Sequence, residues 1–303
     1  MQRKRDRRLI FLPAVLFVLL SLSGCPRVMT RAPERLDEFS VIEPAERAKI
    51  SEELSKTAAS IRTFKGLASI VIEHFPSKDR GRQAILFSRP SELRLETFEP
   101  AVNRLVSLVT VNDGSLRAVV TREKRAYVGE ASPEILERFV YLPLQPDAVM
   151  LLLVGRLNPD ELPAIDSKGH SADSVQWRKS PTGDSYLLYA PLRSGALTIE
   201  AVMRVSGGKQ LGAKESELML QELLLYERAT RKLRVKVVYS YPEPPPIAGS
   251  GAILPQTVRV ELPQKHVVVE LAFTETKINQ TIPAERFGLA IPAGLEVVQL
   301  LRE

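Results

Sequence analysis

The sequence predicts an α+β protein: one large curved antiparallel sheet, a half-open β-barrel of about ten or eleven strands, covered by a few helices. Three observations predict it. Short segments of alternating apolar and polar residues follow one another through most of the chain, joined by turn-length links. One face of each segment is apolar, so the sheet needs a cover. Only two stretches, 45–62 and 132–157, read as helices able to supply it.

In chain order, the first element is a targeting signal. Arg3, Lys4, Arg5, Arg7 and Arg8 form a basic region, and Leu9 to Leu22 is an apolar run of fourteen residues. That is short for a membrane span, which needs about 20 residues. Leu22-Ser23-Gly24-Cys25 follows, with small residues before the sole cysteine of the chain. This is the pattern of a bacterial lipobox. Residues 1–24 are therefore expected to be a lipoprotein signal peptide, with cleavage before Cys25 and acylation of its thiol. Two or three acyl chains, at about 0.8 kcal/mol per buried CH₂, anchor a protein durably. Pro26 after the cysteine favours the outer membrane, with the chain facing the periplasm.

Residues 25–42 read as the acylated cysteine and a polar tether, with an r.m.s. reach of roughly 20–25 Å. Residues 43–303 read as one domain. Its first helix, 45–62, places Ile50, Leu54, Ala58 and Ile61 on one face. Strands are expected at Gly66–Phe75, Arg82–Phe87, Glu92–Phe98, Leu105–Val111, Leu116–Thr121 and Arg125–Val128. Asn112-Asp113-Gly114 is the hairpin turn of this set. Ser132-Pro133-Glu134 then opens a helix: N-cap, proline at the first helical position, acid in the first turn. Pro143 is expected to stop it. Asp147–Leu157 is a second helix, apolar nearly all round and so buried.

Strands resume at Val175–Lys179, Ser185–Ala190 and Ala196–Val205. Glu217–Tyr241 folds back near Ala229–Arg231, and residues 206–250 read as an extended hairpin or insertion ending in a proline-rich loop. Thr257–Leu262 and Val267–Phe273 alternate again before a short ending.

Composition excludes several functions. The net charge of +6 rests largely on the leader: without residues 1–24, 42 basic and 36 acidic residues become 37 and 35. A nucleic-acid partner is not expected. The clusters Arg122–Arg125 and Arg228–Arg234 read as a solvated face and a hairpin tip. One cysteine permits no intrachain disulfide and no cysteine-based metal site. His74, His170 and His266 form no local motif, and no metal spacing, nucleophile elbow or phosphate loop occurs. No catalytic residue, metal or cofactor is expected.

Four segments, in order behind the lipobox, carry a family resemblance. They are Phe64-Lys65-Gly66 leading into Leu67–Ile72; Ala84–Pro90 with Leu93-Arg94-Leu95-Glu96; Leu142-Pro143 with Leu151–Gly155; and an ending of Phe273–Lys277, Ile278-Asn279, Ile282, Phe287 and Ile291-Pro292-Ala293-Gly294. Together they resemble the LolA/LolB superfamily of periplasmic lipoprotein carriers and receptors, nearest to its uncharacterised LolB-like lipoproteins. The resemblance spans roughly residues 45–298.

It implies a concave apolar face beneath a helical cover, able to take acyl chains. The candidate lining is Leu93, Leu95, Leu151, Leu152, Leu153, Val258, Val260, Val269 and Leu271. It also implies a membrane-touching loop at Pro100, Ala101 and Val102. The expected function is a membrane-anchored carrier or receptor for lipids, lipoproteins or other hydrophobic ligands, acting without catalysis. The alternative is a structural or assembly lipoprotein of the envelope that binds a protein partner, with 206–250 as its contact surface. Alternating apolar residues look the same whether they line a cavity or fill it.

Overall fold

A computed structural model describes residues 39–159, 176–183, 185–194, 197–207, 218–242 and 252–301, all within one compact unit, Arg35–Glu303. The expected signal peptide, Cys25, most of the tether, His170 and the proline-rich loop from residue 243 lie outside the described residues.

The elements are β1 (Ser40–Val41), α1 (Pro44–Ala59), β2 (Thr63–His74), β3 (Ser77–Ser88), β4 (Glu92–Phe98), β5 (Leu105–Asn112), β6 (Ser115–Val120) and β7 (Arg125–Glu130). Then come α2 (Pro133–Val140), α3 (Pro146–Leu153), β8 (Gln176–Lys179), β9 (Ser185–Ser194), β10 (Leu197–Gly207), β11 (Leu218–Glu227), β12 (Leu233–Ser240), β13 (Thr257–Leu262), β14 (Val267–Ile278) and β15 (Glu296–Leu300).

Fifteen strands among the described residues form one open sheet, in the order β1-β8-β9-β10-β11-β12-β13-β14-β2-β3-β4-β5-β6-β7-β15. The chain thus lays down two meanders, β2–β7 and β8–β14, separated by α2 and α3. The meanders join where β14 pairs antiparallel with β2, from Val267↔His74 to Ile278↔Phe64. Every pairing is antiparallel except β15 on β7.

The sheet is larger than the sequence predicts. β1 and β15 are two and five residues long, and each pairs with a strand far away in sequence, so neither leaves a local signature. β1 also corrects the tether. Ser40 and Val41 pair with β8, while Phe39 and Ile42 are buried, so the folded part begins before residue 43. Within the stretch 206–250, β11 and β12 form the expected hairpin. β11 and β12 are interior strands of the sheet, and Met219, Leu220, Leu223, Val235 and Val237 belong to the core.

Local chemistry explains most boundaries. Asp113 and Gly114 both adopt positive φ, 46° and 75°, as the two-residue turn between β5 and β6 requires. The face of α1 at Ile50, Leu54 and Ala58 is buried, and Ile61 continues it past the helix end. The Ser132 hydroxyl accepts from the Ile135 amide at 3.5 Å, satisfying one orphan donor at the start of α2. That helix ends before Pro143, at Tyr141, which turns left-handed with φ 63°. α3 ends at Leu153 rather than 157, with Gly155 at φ 66° just beyond it.

The C-terminal tail is strapped across the sheet. The Asn279 side chain accepts from the Arg62 amide at 2.8 Å and donates to the Ser60 carbonyl at 2.7 Å. Arg94 donates to the carbonyls of Arg286 and Gly288, both at 3.1 Å, and Phe287 is fully enclosed.

Candidate functional site: an apolar cavity beneath two helices

A cavity of about 310 Å³ lies between α2 and α3 and the concave face of the sheet. Its walls come from β2 to β6 on one side and from β12 to β14 on the other, including Ile72, Ile85, Val109, Val237 and Val260. Val120 on β6 and Val237 on β12 both line it. Seven strand spacings in a flat sheet would hold these residues about 33 Å apart, so the sheet is curled around the cavity.

The register explains which expected residues reach it. Inward residues of β3 to β6 stack in three rungs: Phe87–Leu93–Val111–Leu116, then Ile85–Leu95–Val109–Ala118, then Gln83–Thr97–Ser107–Val120. The first rung is packed solid, and the other two line the cavity except at Ala118, which is buried. Of the nine residues expected to line it, Leu95, Leu152, Leu153, Val258, Val260 and Leu271 do so. Leu93 does not, being one rung deeper. Val269 is buried between Val260 and Ile72 without reaching the cavity, and Leu151 is buried outside it.

The helical cover is fastened to the sheet by Arg89, in the segment after β3. Its guanidinium donates to both carboxylate oxygens of Asp147, at 2.5 and 2.6 Å, and to the Ala58 carbonyl at 2.9 Å. One side chain thus ties the first turn of α3 to the last turn of α1. The pair is largely screened from solvent, the side chains being 12% and 20% exposed. A carboxylate in the first turn of α3 also suits the positive end of the helix dipole.

Sequence reasoning missed the polar part of the site. Gln83, Thr97 and Ser107 are direct neighbours across three strands, and all three line the cavity. Gln83 is only 6% exposed. The Thr97 hydroxyl donates to Gln83 Oε1 at 2.7 Å. Among the described residues neither the Gln83 amide nitrogen nor the Ser107 hydroxyl has a further protein partner. A signal was available: Gln83 stands in the same alternation phase as Ile85 and Phe87. On the opposite wall Tyr239 is enclosed. Burial drives its phenol well above the usual range.

Two exposed apolar residues, Phe75 and Val102, share one end of the sheet. Antiparallel order places the β2–β3 tip, the β4–β5 loop, the β6–β7 turn and the β11–β12 turn at that same end. Val102 in the β4–β5 loop is 65% exposed, and Pro100 and Ala101 beside it are exposed as well. Phe75 at the β2–β3 tip is 93% exposed. Alternation reads Phe75 as the last residue of a strand, but the strand ends at His74. Arg122, Lys124 and Lys232 are exposed in the neighbouring turns. The end is therefore both greasy and basic.

Among the described residues no group of three His, Cys, Asp or Glu side chains is placed to hold a metal ion. His74 pairs with Asp79 at 3.0 Å on the surface, and His266 is exposed in a turn. No helix among the described residues is long and apolar enough to cross a membrane.

No family profile matches the sequence, and no curated protein matches it. Solved structures do match. A DUF1329 family protein from Desulfovibrio piger aligns with a TM-score of 0.50 at 14% identity, over 79% of this chain and 96% of its own. A LolA superfamily protein from Nitrosomonas europaea aligns at 0.44 and 14% identity, over 79% and 97%. A protein from Vibrio parahaemolyticus, provisionally named an outer membrane lipoprotein-sorting protein domain, aligns at 0.46 and 11% identity, over 80% and 94%. At these identities the likeness concerns the fold alone, and the first alignment carries it. The open curled sheet over helices is the fold shared with that DUF1329 protein, and it is the α+β architecture that the sequence predicts.

Proposed function

From a curled sheet closed over by helices, and from sequence motifs that resemble the LolA/LolB superfamily, we propose that this chain is a membrane-tethered, non-enzymatic carrier or receptor that takes an acyl chain of a lipid or lipoprotein into the cavity under α2 and α3. The observation that carries this reading is the cavity itself: about 310 Å³, walled by aliphatic side chains of eight strands and two helices. Such a hollow favours alkyl groups without directed contacts, at about 0.8 kcal/mol per CH₂ removed from water. Its volume matches about ten water-sized groups, which suits one chain of medium length rather than several.

The greasy, basic end supports the tethering part of the reading. Phe75 and Val102 are placed to enter a bilayer surface, and Arg122, Lys124 and Lys232 to meet anionic headgroups. The anchor at Cys25, the outer-membrane address and the periplasmic orientation belong to the same proposal. They rest on the lipobox and on Pro26. Labelled palmitate should enter the wild-type chain and be absent from Cys25→Ser.

The direct test is extraction. Delipidated protein mixed with radiolabelled decanoyl lipid should retain it saturably, near one chain per protein by native mass spectrometry. Retention no greater than that of an unrelated control protein would overturn the proposal.

A further inference from the structure

We infer that the lipid taken into the cavity is a single-chain molecule whose head carries an uncharged carbonyl, as an ester or amide, and that the rung Gln83–Thr97–Ser107 receives it. The inference rests on the reading of the cavity as an acyl site and adds the class of head group.

A polar rung inside an apolar hollow calls for a chemical reason. Apolar residues of similar shape at Gln83 and Thr97 would fill the same space without desolvating an amide and a hydroxyl. The rung is also pre-set. The Thr97 hydroxyl donates to Gln83 Oε1 at 2.7 Å, which fixes the amide plane and leaves its N–H groups to donate elsewhere. Ser107, directly across from Thr97, offers a second donor. Two donors on one rung match the two lone pairs of a carbonyl oxygen.

Position and charge narrow the class further. Thr97 is the last inward residue of β4 before the loop bearing Val102. A head group there lies toward the membrane-facing end, with its chain running along the next rung past Ile85, Leu95 and Val109. Among the described residues Arg138 is the only ionisable cation lining the cavity. It is exposed at the rim and already engaged. A carboxylate or phosphate at the rung would be buried without a counter-charge, which is heavily disfavoured.

The test uses the whole mature chain with Cys25→Ala, so that its own acyl groups do not compete. N-phenyl-1-naphthylamine is bound first and then displaced by methyl decanoate, by decanoate or by n-decane. Methyl decanoate should displace the probe at lower concentration than decanoate. Gln83→Leu should raise the methyl decanoate concentration needed about tenfold, and leave that for n-decane within about twofold. Ser107→Ala, at a half-exposed position, should act in the same direction and carries the test if Gln83→Leu does not fold. Equal effects of both variants on ester and hydrocarbon would overturn the inference and leave the carrier reading intact. So would wild-type protein that takes decanoate as readily as the ester. Failure of all three molecules to displace the probe, or of the probe to bind, would overturn both.

Discussion

One row of inward side chains crosses eight neighbouring strands and changes character halfway. It runs Trp177, Leu188, Met203, Leu223 on β8 to β11, then Val237, Val260, Val269, Ile72 on β12, β13, β14 and β2. All but Ile72 are buried. The first four are long or broad. They lie in the half of the sheet held against α1, where Glu46 meets Lys179 at 2.7 Å and Glu53 accepts from the Leu218 amide at 3.2 Å. The last four are short and β-branched, with few rotamers and little reach. Three of them, Val237, Val260 and Ile72, line the cavity under α2 and α3. The same alternation therefore builds a filled core at one end of the row and a hollow at the other, and side-chain reach is what differs.

That contrast can be broken from either side. The largest effect is expected in the filled half: Met203→Ala should cost about 3 kcal/mol of stability, read by urea denaturation, and should open a second hollow that binds the hydrophobic probe. Next comes the fastening of the cover. Arg89→Ala strands a largely buried carboxylate and should cost roughly 2 kcal/mol, with faster amide exchange confined to α3 and the end of α1. In the hollow half, Val237→Leu with Val260→Leu should weaken methyl decanoate binding about tenfold while the melting temperature holds or rises. Phe75→Ser touches neither half. It should leave stability within about 0.5 kcal/mol and reduce binding of the unacylated chain to anionic vesicles several-fold.

The smallest effect concerns pH and the α1 side. A hydrogen bond from Lys179 holds the Glu46 carboxyl below the usual carboxylate range. The folded state thus binds this proton more weakly than the unfolded chain does. The resulting stability is present at neutral pH and lost as pH falls below about 4.3 through the depressed value. Glu46→Gln should flatten that part of the acid-denaturation curve, and high salt should shrink the difference.

Much of the fold was legible because its signals are local. Asp113-Gly114 needs two positive φ angles and takes them, Ser132 caps α2, and the spacing of Ile50, Leu54 and Ala58 sets the face of α1. β1 and β15 were illegible because their partners, β8 and β7, are distant in sequence. The cavity was half legible. Alternation finds Leu95, Val258 and Val260 as inward residues, yet it assigns Leu93 and Val269 to the same face without telling lining from filling. That distinction depends on rung depth and on what lies opposite. Thr97 and Ser107 were missed because polar residues in a strand are ordinarily solvent-facing, and only the phase of Gln83 with Ile85 and Phe87 gives them away.

The pairing of β14 with β2 has a consequence in time. It joins residues about two hundred positions apart, Val267 to His74, so the two meanders cannot be sealed until nearly the entire polypeptide has emerged. Until then β2 presents a long unpaired border to its surroundings, the kind that recruits strands from other molecules. Closure over such a span is slow. That border stays open between synthesis and the arrival of the last eighth of the chain, and any truncation before residue 267 leaves it permanently open.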